Sequence, residues 1–197
     1  MRRMSMDGVW LSTPDVHPDS RGTFHEAFRQ DTFTEAVGHP FSLAQANVSV
    51  SRRGVLRGIH FAAVPPGQAK FVSCLHGAVL DVAVDLRVGS PTFGSYTAHE
   101  LSSRNGASLY VAEGMGHAFI ALTDEATVMY LCSAVYTPHR EHTLDPFDPT
   151  LGIDWPRDPA PVLSPRDREA PSLAQLASDN VLPSYESCLA HARVRRA

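Results

Sequence analysis

Before Pro138 the chain is dominated by strict alternation of apolar and polar positions. From Ala44 to Ser51, Gln45, Asn47, Ser49 and Ser51 point one way while Ala44, Ala46, Val48 and Val50 point the other, which is the period of a β-strand. The segment AVLDVAVDL, Ala78 to Leu86, interleaves Leu80, Val82, Val84 and Leu86 with Asp81, Ala83 and Asp85. Phe71 to Leu75 precedes it across Gly77, and the two runs read as a hairpin turning at that glycine. Further strands are expected at Val9 to Ser12, Tyr96 to Leu101, Ser108 to Val111, Ala118 to Leu122 and Thr127 to Tyr136. Another is expected at Thr23 to Arg29, with Phe24 and Phe28 on one face and Glu26 between them.

Turn signals such as HPDSRG and GSPTFG recur about every ten residues, and no long helical period intervenes, so the fold class is all-β, an antiparallel sandwich or barrel of short strands. Helical pattern is confined to short peripheral pieces. Asp31 to Val37 reads as a helix because Thr32 and Glu35 have capping-box spacing and Gly38 supplies the stop. Ser172 to Ala177 and Ser184 to Val194 are weaker, and the stretch from Pro138 to Pro171 is irregular and proline-rich.

A length of 197 residues favours a single domain over 1–197, with a β core over about residues 9–137 and an irregular, helical remainder over 138–197. The net charge of -4 and scattered basic residues, apart from an Arg193, Arg195, Arg196 tail, argue against a nucleic-acid partner. No apolar run is long enough for a membrane helix and none follows the two N-terminal arginines, so a cytoplasmic protein without a membrane partner is expected. Cys74, Cys132 and Cys188 are widely spaced among small or apolar neighbours, as suits reduced, buried thiols.

The chemistry concentrates between Gly54 and Lys70, GVLRGIHFAAVPPGQAK, where Arg57 and Lys70 flank His60. An imidazole serves as acid or base near neutral pH, and neighbouring cations favour its proton-accepting form, so this stretch suggests proton abstraction from an anionic substrate. The plainer reading makes Arg57 and Lys70 surface cations and His60 a satisfied core histidine. The polar row Gln45, Asn47, Ser49, Ser51 reads first as a solvent face, with the two carboxamides also able to read a base or sugar edge. Parity adds a constraint. Arg57 and His60 are three apart and would face opposite sides of a regular strand, so for both to reach one cavity the chain near Gly58 must bulge.

Taken together, DSRGTFHEAF, QANVSVS, GVLRGIHF, PPGQAKFV, DVAVDLRVGSPTFG, GMGHAF, Tyr130, Tyr136, LGIDWP and LSPRD resemble the dTDP-4-dehydrorhamnose 3,5-epimerase family from about Asp19 to Asp167. The resemblance implies a double-stranded β-helix, or cupin-like jelly roll, with short peripheral helices. It implies a dTDP-4-keto-6-deoxyhexose substrate, in rhamnose or antibiotic sugar biosynthesis, no metal or other cofactor, and a homodimer that exchanges an N-terminal strand. By the same resemblance His60 is the base, Asp167 its partner, Lys70 the stabiliser of a C4 oxyanion and Tyr130 the opposing acid. Arg21, Arg57 and His117 match positions that meet substrate or its diphosphate. Phe24, Glu26, Gln45 and Asn47 match those receiving nucleoside and sugar, and Tyr136 stands near the sugar. In a jelly roll the row on Gln45 and Asn47 then lines the ligand cavity rather than facing water.

Three departures border the sugar: Ala62 stands where the family commonly has Gln, LCSAV follows Tyr130 in place of a basic and aromatic run, and GHAF replaces GHGF. They leave the proton-transfer set intact and the choice of C3, C5 or both open. Two other readings remain in view. A metal-dependent cupin enzyme would use a His-x-His pair, but Ala62 occupies the second position. A catalytically idle sugar-nucleotide binding protein would have no need of Tyr130 or Asp167.

Overall fold

The computed structural model describes residues 1–196, with side chains up to Val194. Its strands are β1 (Arg2–Arg3), β2 (Val9–Ser12), β3 (His17–Asp19), β4 (Gly22–Phe24), β5 (Gln45–Arg52), β6 (Leu56–Ala62), β7 (Lys70–His76), β8 (Ala78–Asp85), β9 (Tyr96–Ser102), β10 (Ser108–Val111), β11 (Met115–Ala121), β12 (Glu125–Cys132) and β13 (Glu141–Thr143). One sheet has six strands in the order β1-β2-β10-β7-β12-β5, and the other has five in the order β13-β6-β11-β8-β9. From β5 to β8 each strand enters the sheet opposite to its predecessor, and β10 to β12 do the same. This shuttling is the double-stranded β-helix, the cupin-like jelly roll, built from short alternating strands as the sequence implied.

The sheets face one another across a core to which β7, β10 and β12 give Val72, Leu109 and Val128, and β8 and β11 give Val79, Ala83 and Phe119. Two further clusters cover the outer faces. On the six-stranded sheet Trp10, Phe71 and Tyr110 pack with Phe33 and Val37 of α1 (Gln30–Val37) and with Phe41. On the five-stranded sheet Val82, Val84 and Ile120 lie beneath Leu144, Leu151 and Trp155 of the C-terminal part. Leu173 and Leu176, on a short helix that follows a single-turn one, complete that cover. At about 1.5–3 kcal/mol for each large apolar side chain buried, this irregular region contributes substantially to the fold it wraps.

Several expectations are corrected by the pairing. Gly77 does not turn a hairpin, because β7 and β8 belong to different sheets. It makes the corner between them at φ 69°, where a Cβ would stand 2.2 Å from the Glu125 carbonyl oxygen. Alternation reads the same in both arrangements, so the pattern alone could not separate them. The strand expected over Thr23 to Arg29 is reduced to β4, which pairs only with β3 in a two-stranded hairpin outside both sheets. Phe24 stacks on His17 and is 67% exposed, whereas Phe28 is drawn into the aromatic cluster against Phe33, Phe41 and Phe71. Burial of Phe28 beneath α1 breaks the shared phenylalanine face.

α1 begins after Arg29 without a side-chain cap, and Asp31, not a Thr32 capping box, accepts from the Thr32 backbone N–H. Gly38 ends it at φ 89°, as expected. β12 stops at Cys132, leaving Tyr136 in a loop. Cys74, Cys132 and Cys188 are free and buried. No helix among the described residues is long and apolar enough to cross a membrane. Arg195 and Arg196 of the basic tail lie outside the described side chains.

Candidate active site

The site begins with a misfit between neighbouring strands. β6 pairs with β11 so that His60 faces His117 and Arg57 faces Phe119, and the register shifts between them, three residues of β6 spanning two of β11. The extra residue is a β-bulge, which reverses parity and puts Arg57 and His60 on the same inner face, as the spacing required. Gly58 sits in the bulge at φ 102°, and a Cβ there would lie 2.5 Å from the His117 carbonyl oxygen, so only glycine fits.

The backbone N–H of Gly58 in the bulge also helps to lower the Asp167 carboxyl. Asp167 arrives from outside the five-stranded sheet on a one-turn helix, α2 (Pro165–Arg168). His60 Nε2 lies 2.6 Å from Asp167 Oδ1. Ser164, the N-cap, accepts from the Asp167 N–H at 3.1 Å and donates its hydroxyl to Asp167 Oδ2 at 2.8 Å. Burial raises the Asp167 carboxyl, but the bonds from His60, Ser164 and Gly58 outweigh it and hold the group below the usual carboxylate range. With Nε2–H given to Asp167, Nδ1 of His60 is the ring nitrogen left to carry a lone pair.

His60 opens on a cavity of about 500 Å³ whose far wall is the inner face of the six-stranded sheet. There the pairs Tyr130–Asn47, Cys132–Gln45 and Cys132–Lys70 place carboxamides, phenol and ammonium on three adjacent strands. Of the polar row of β5, Gln45 and Asn47 therefore line the cavity while Ser49 and Ser51 lie beyond its lining, and the apolar alternates Val48, at the rim, and Val50 are exposed. Gln45 donates to Asn47 Oδ1 at 2.7 Å and accepts the Tyr136 backbone N–H at 2.8 Å, which ties the Tyr136 loop to the cavity. Lys70 is only 7% exposed, and burial lowers its ammonium pKa against the partial opposition of Glu141 and Cys132. Burial raises the Tyr130 phenol, assisted by Cys132 and Glu141 and opposed by Arg57.

The remaining expected residues are less uniformly placed. Arg57 is outside the cavity lining, bonding Ser51 Oγ at 3.0 Å close enough for its charge to act on Tyr130. His117 lies on the same inner face as His60 but is buried outside the cavity lining, with Nε2 2.7 Å from Asp81 Oδ1. Burial raises the Asp81 carboxyl against the pull of His117 and His99. Arg21, Phe24 and Glu26 are not brought to this cavity within one chain. Arg21 pairs with Asp19 on the exposed β3–β4 hairpin, and Glu26 lines a separate hollow of about 220 Å³. The reason is topological: the hairpin joins neither sheet.

Three polar lining residues escaped the sequence reading. Gln68 and Arg166 lie inside motifs already noticed, PPGQAK and LSPRD, and adjacency to Lys70 and Asp167 was the available signal. Glu141 had no such signal, since it arrives through pairing of β13 with Ala62. Arg166 is held by Thr143 Oγ1 at 2.9 Å and the Glu141 carbonyl at 3.0 Å. Chemically, a carboxylate-backed imidazole on one wall, a protonated phenol on the other and an ammonium near the phenol suffice to remove a proton beside a carbonyl, hold the enolate and return a proton from the opposite side.

Comparison with known proteins agrees in one direction. The model of the dTDP-4-dehydrorhamnose 3,5-epimerase family matches residues 3–175. A dTDP-4-dehydrorhamnose 3,5-epimerase of Mycolicibacterium smegmatis is 54% identical over 195 residues, spanning 99% of this chain and 96% of that protein. The solved structure of the Mycobacterium tuberculosis RmlC epimerase superposes with a TM-score of 0.97 at 47% identity, covering 99% of this chain and 98% of that one. A 3′-monoepimerase from Streptomyces bikiniensis, solved in complex with dTDP-quinovose, gives a TM-score of 0.96 at 47% identity over 100% and 98% of the two chains.

Proposed function

This chain belongs to the dTDP-4-dehydrorhamnose 3,5-epimerase family and is an isomerase of dTDP-4-keto-6-deoxyhexoses, and from that premise we propose a division of labour among its cavity residues. Hydrogens at C3 and C5 are acidified by the C4 ketone between them. His60 removes one through Nδ1, with Asp167 holding the ring and balancing the imidazolium. Charge then develops on the C4 oxygen, where the Lys70 ammonium stabilises the enolate more than the ketone. Tyr130 returns a proton from the opposite wall and the carbon is inverted. Protons equilibrate with water to reset base and phenol.

Arg57 and Arg166 suit the diphosphate, while Gln45, Asn47 and Tyr136 suit the sugar and nucleoside. Arg21, Phe24 and Glu26 complete a site through a second copy of the chain, across which the β3–β4 hairpin reaches in the exchanged dimer. In support, that hairpin pairs with neither sheet of its own chain, Phe24 is exposed, and the edge strand β5 presents Val48 and Val50 uncovered. Three buried thiols without a disulfide suit a reducing, cytoplasmic compartment.

The observation that carries the reading is the 2.6 Å His60–Asp167 pair facing Tyr130 across the cavity that holds Lys70. Incubation with dTDP-4-keto-6-deoxyglucose in deuterium oxide tests it. Deuterium is expected at C3, C5 or both, and its position gives the regiochemistry; absence of label at both carbons overturns the assignment.

A further inference from the structure

We propose that Ser164 is the positioning residue of the catalytic base, setting through Asp167 both the orientation and the proton affinity of the His60 pair. The inference rests on the reading of His60 as base. Ser164 is solvent-exposed and outside the cavity lining, yet its hydroxyl is used twice, accepting from the Asp167 N–H at 3.1 Å and donating to Oδ2 at 2.8 Å. Each oxygen of Asp167 is thereby committed, Oδ1 to the imidazole and Oδ2 to the serine. A rotation of the carboxylate that moved Oδ1 off His60 would also break the serine bond. α2 spans four residues, too few to be stable alone, so the cap decides where its carboxylate stands.

The same bond acts on the chemistry. A donor to the ionised carboxylate favours the charged form, so removing it raises the proton affinity of the pair, which must then be deprotonated at higher pH before it can accept a proton from substrate. The charged groups around the pair are Arg166 and Arg168 on α2, with Lys70 from β7 and Glu141 from β13 across the cavity. Loss of a neutral hydroxyl alters none of them. A shift of the pH profile therefore reports the hydrogen bond itself.

Two full-length variants separate this role from simple capping. Ser164→Gly removes the hydroxyl but keeps a residue that caps nearly as well, and Ser164→Thr keeps both hydrogen bonds. With dTDP-4-keto-6-deoxyglucose as substrate, Ser164→Gly is expected to lower kcat by about ten-fold or more and move the acid limb of kcat/KM up by about one pH unit. Affinity for dTDP and the melting temperature stay at wild-type values, and Ser164→Thr returns kcat and the acid limb to within about two-fold of wild type. An unchanged kcat and acid limb in Ser164→Gly, a Ser164→Thr enzyme as impaired as Ser164→Gly, or loss of dTDP binding in step with kcat overturns the proposal. Wild-type enzyme that fails to exchange deuterium overturns the base reading and this inference with it, whereas an unaffected Ser164→Gly removes only the role of Ser164.

Discussion

Asp167 and His60 are 107 positions apart in the chain and meet at 2.6 Å. Their meeting depends on two irregular pieces, a bulge that turns His60 inward and a one-turn helix that delivers the carboxylate from outside the sheet. Asp167→Asn keeps the shape but presents an amide where the imidazole needs an acceptor. The rate of C–H exchange should fall at least about a hundred-fold, with dTDP affinity unchanged by calorimetry. The native carboxyl is held low, so its contribution to stability is full above its unfolded pKa of about 3.9 and is lost as pH falls through the folded value. Acid denaturation of Asp167→Asn should lack that component.

Lys70 opposes stability and activity to one another. Burial depresses its pKa, so the unfolded chain binds the proton more tightly, and stability rises as pH climbs from the folded value toward about 10.4. At neutral pH the buried ammonium is a cost. Lys70→Met should raise the melting temperature by several degrees while lowering kcat about a hundred-fold or more, as scanning calorimetry and turnover would register. A variant both less stable and inactive would make Lys70 a structural cation.

Tyr130 remains protonated well past neutrality because burial raises its pKa, as an acid requires. In Tyr130→Phe, washout of substrate hydrogen into deuterium oxide should continue near the wild-type rate while net inversion drops at least about ten-fold. Undiminished inversion would remove Tyr130 from the acid role.

Gly58 tests the bulge. Gly58→Ala places a methyl against the His117 carbonyl oxygen and forces an L residue to φ 102°, which should cost about 3 kcal/mol in urea unfolding and abolish turnover in whatever remains folded. An alanine variant of normal stability would mean that the backbone relaxes without losing the site.

Subunit complementation tests the exchanged hairpin. His60→Ala carries an intact hairpin, and Arg21→Ala/Phe24→Ala carries an intact base. Each alone should be inactive or weak, and mixed after refolding they should recover about a quarter of wild-type activity, since half of random dimers hold one good site in two. No recovery would place each hairpin at its own chain's site.

Much of this was legible locally. The alternation on Gln45 to Ser51 and Ala78 to Leu86 marks strands wherever they pair, and Gly38 acts within a few residues of where it stands. The three-residue spacing of Arg57 and His60 demanded a bulge because strand parity is a local rule, and Gly58 was the residue able to form it. The motifs likewise carried the residue types such a reaction needs, a base, a cation and a phenol.

Pairing was decided only in three dimensions. Whether Gly77 turned a hairpin or a corner depended on which sheet β8 joined, a choice set by burial of its two faces between Phe119 and the C-terminal cover rather than by its own pattern. Glu141 entered the cavity through an edge strand whose sequence carries no strand signal, and the ring of His117 is held away from it by its bond to buried Asp81. Phe24 and Phe28 parted because one found an aromatic cluster and the other did not. Short-range periodicity determines what each segment can be, but contacts between segments distant in the chain determine which side chains share a cavity, because burial is settled by the partner surface and not by the strand that presents it.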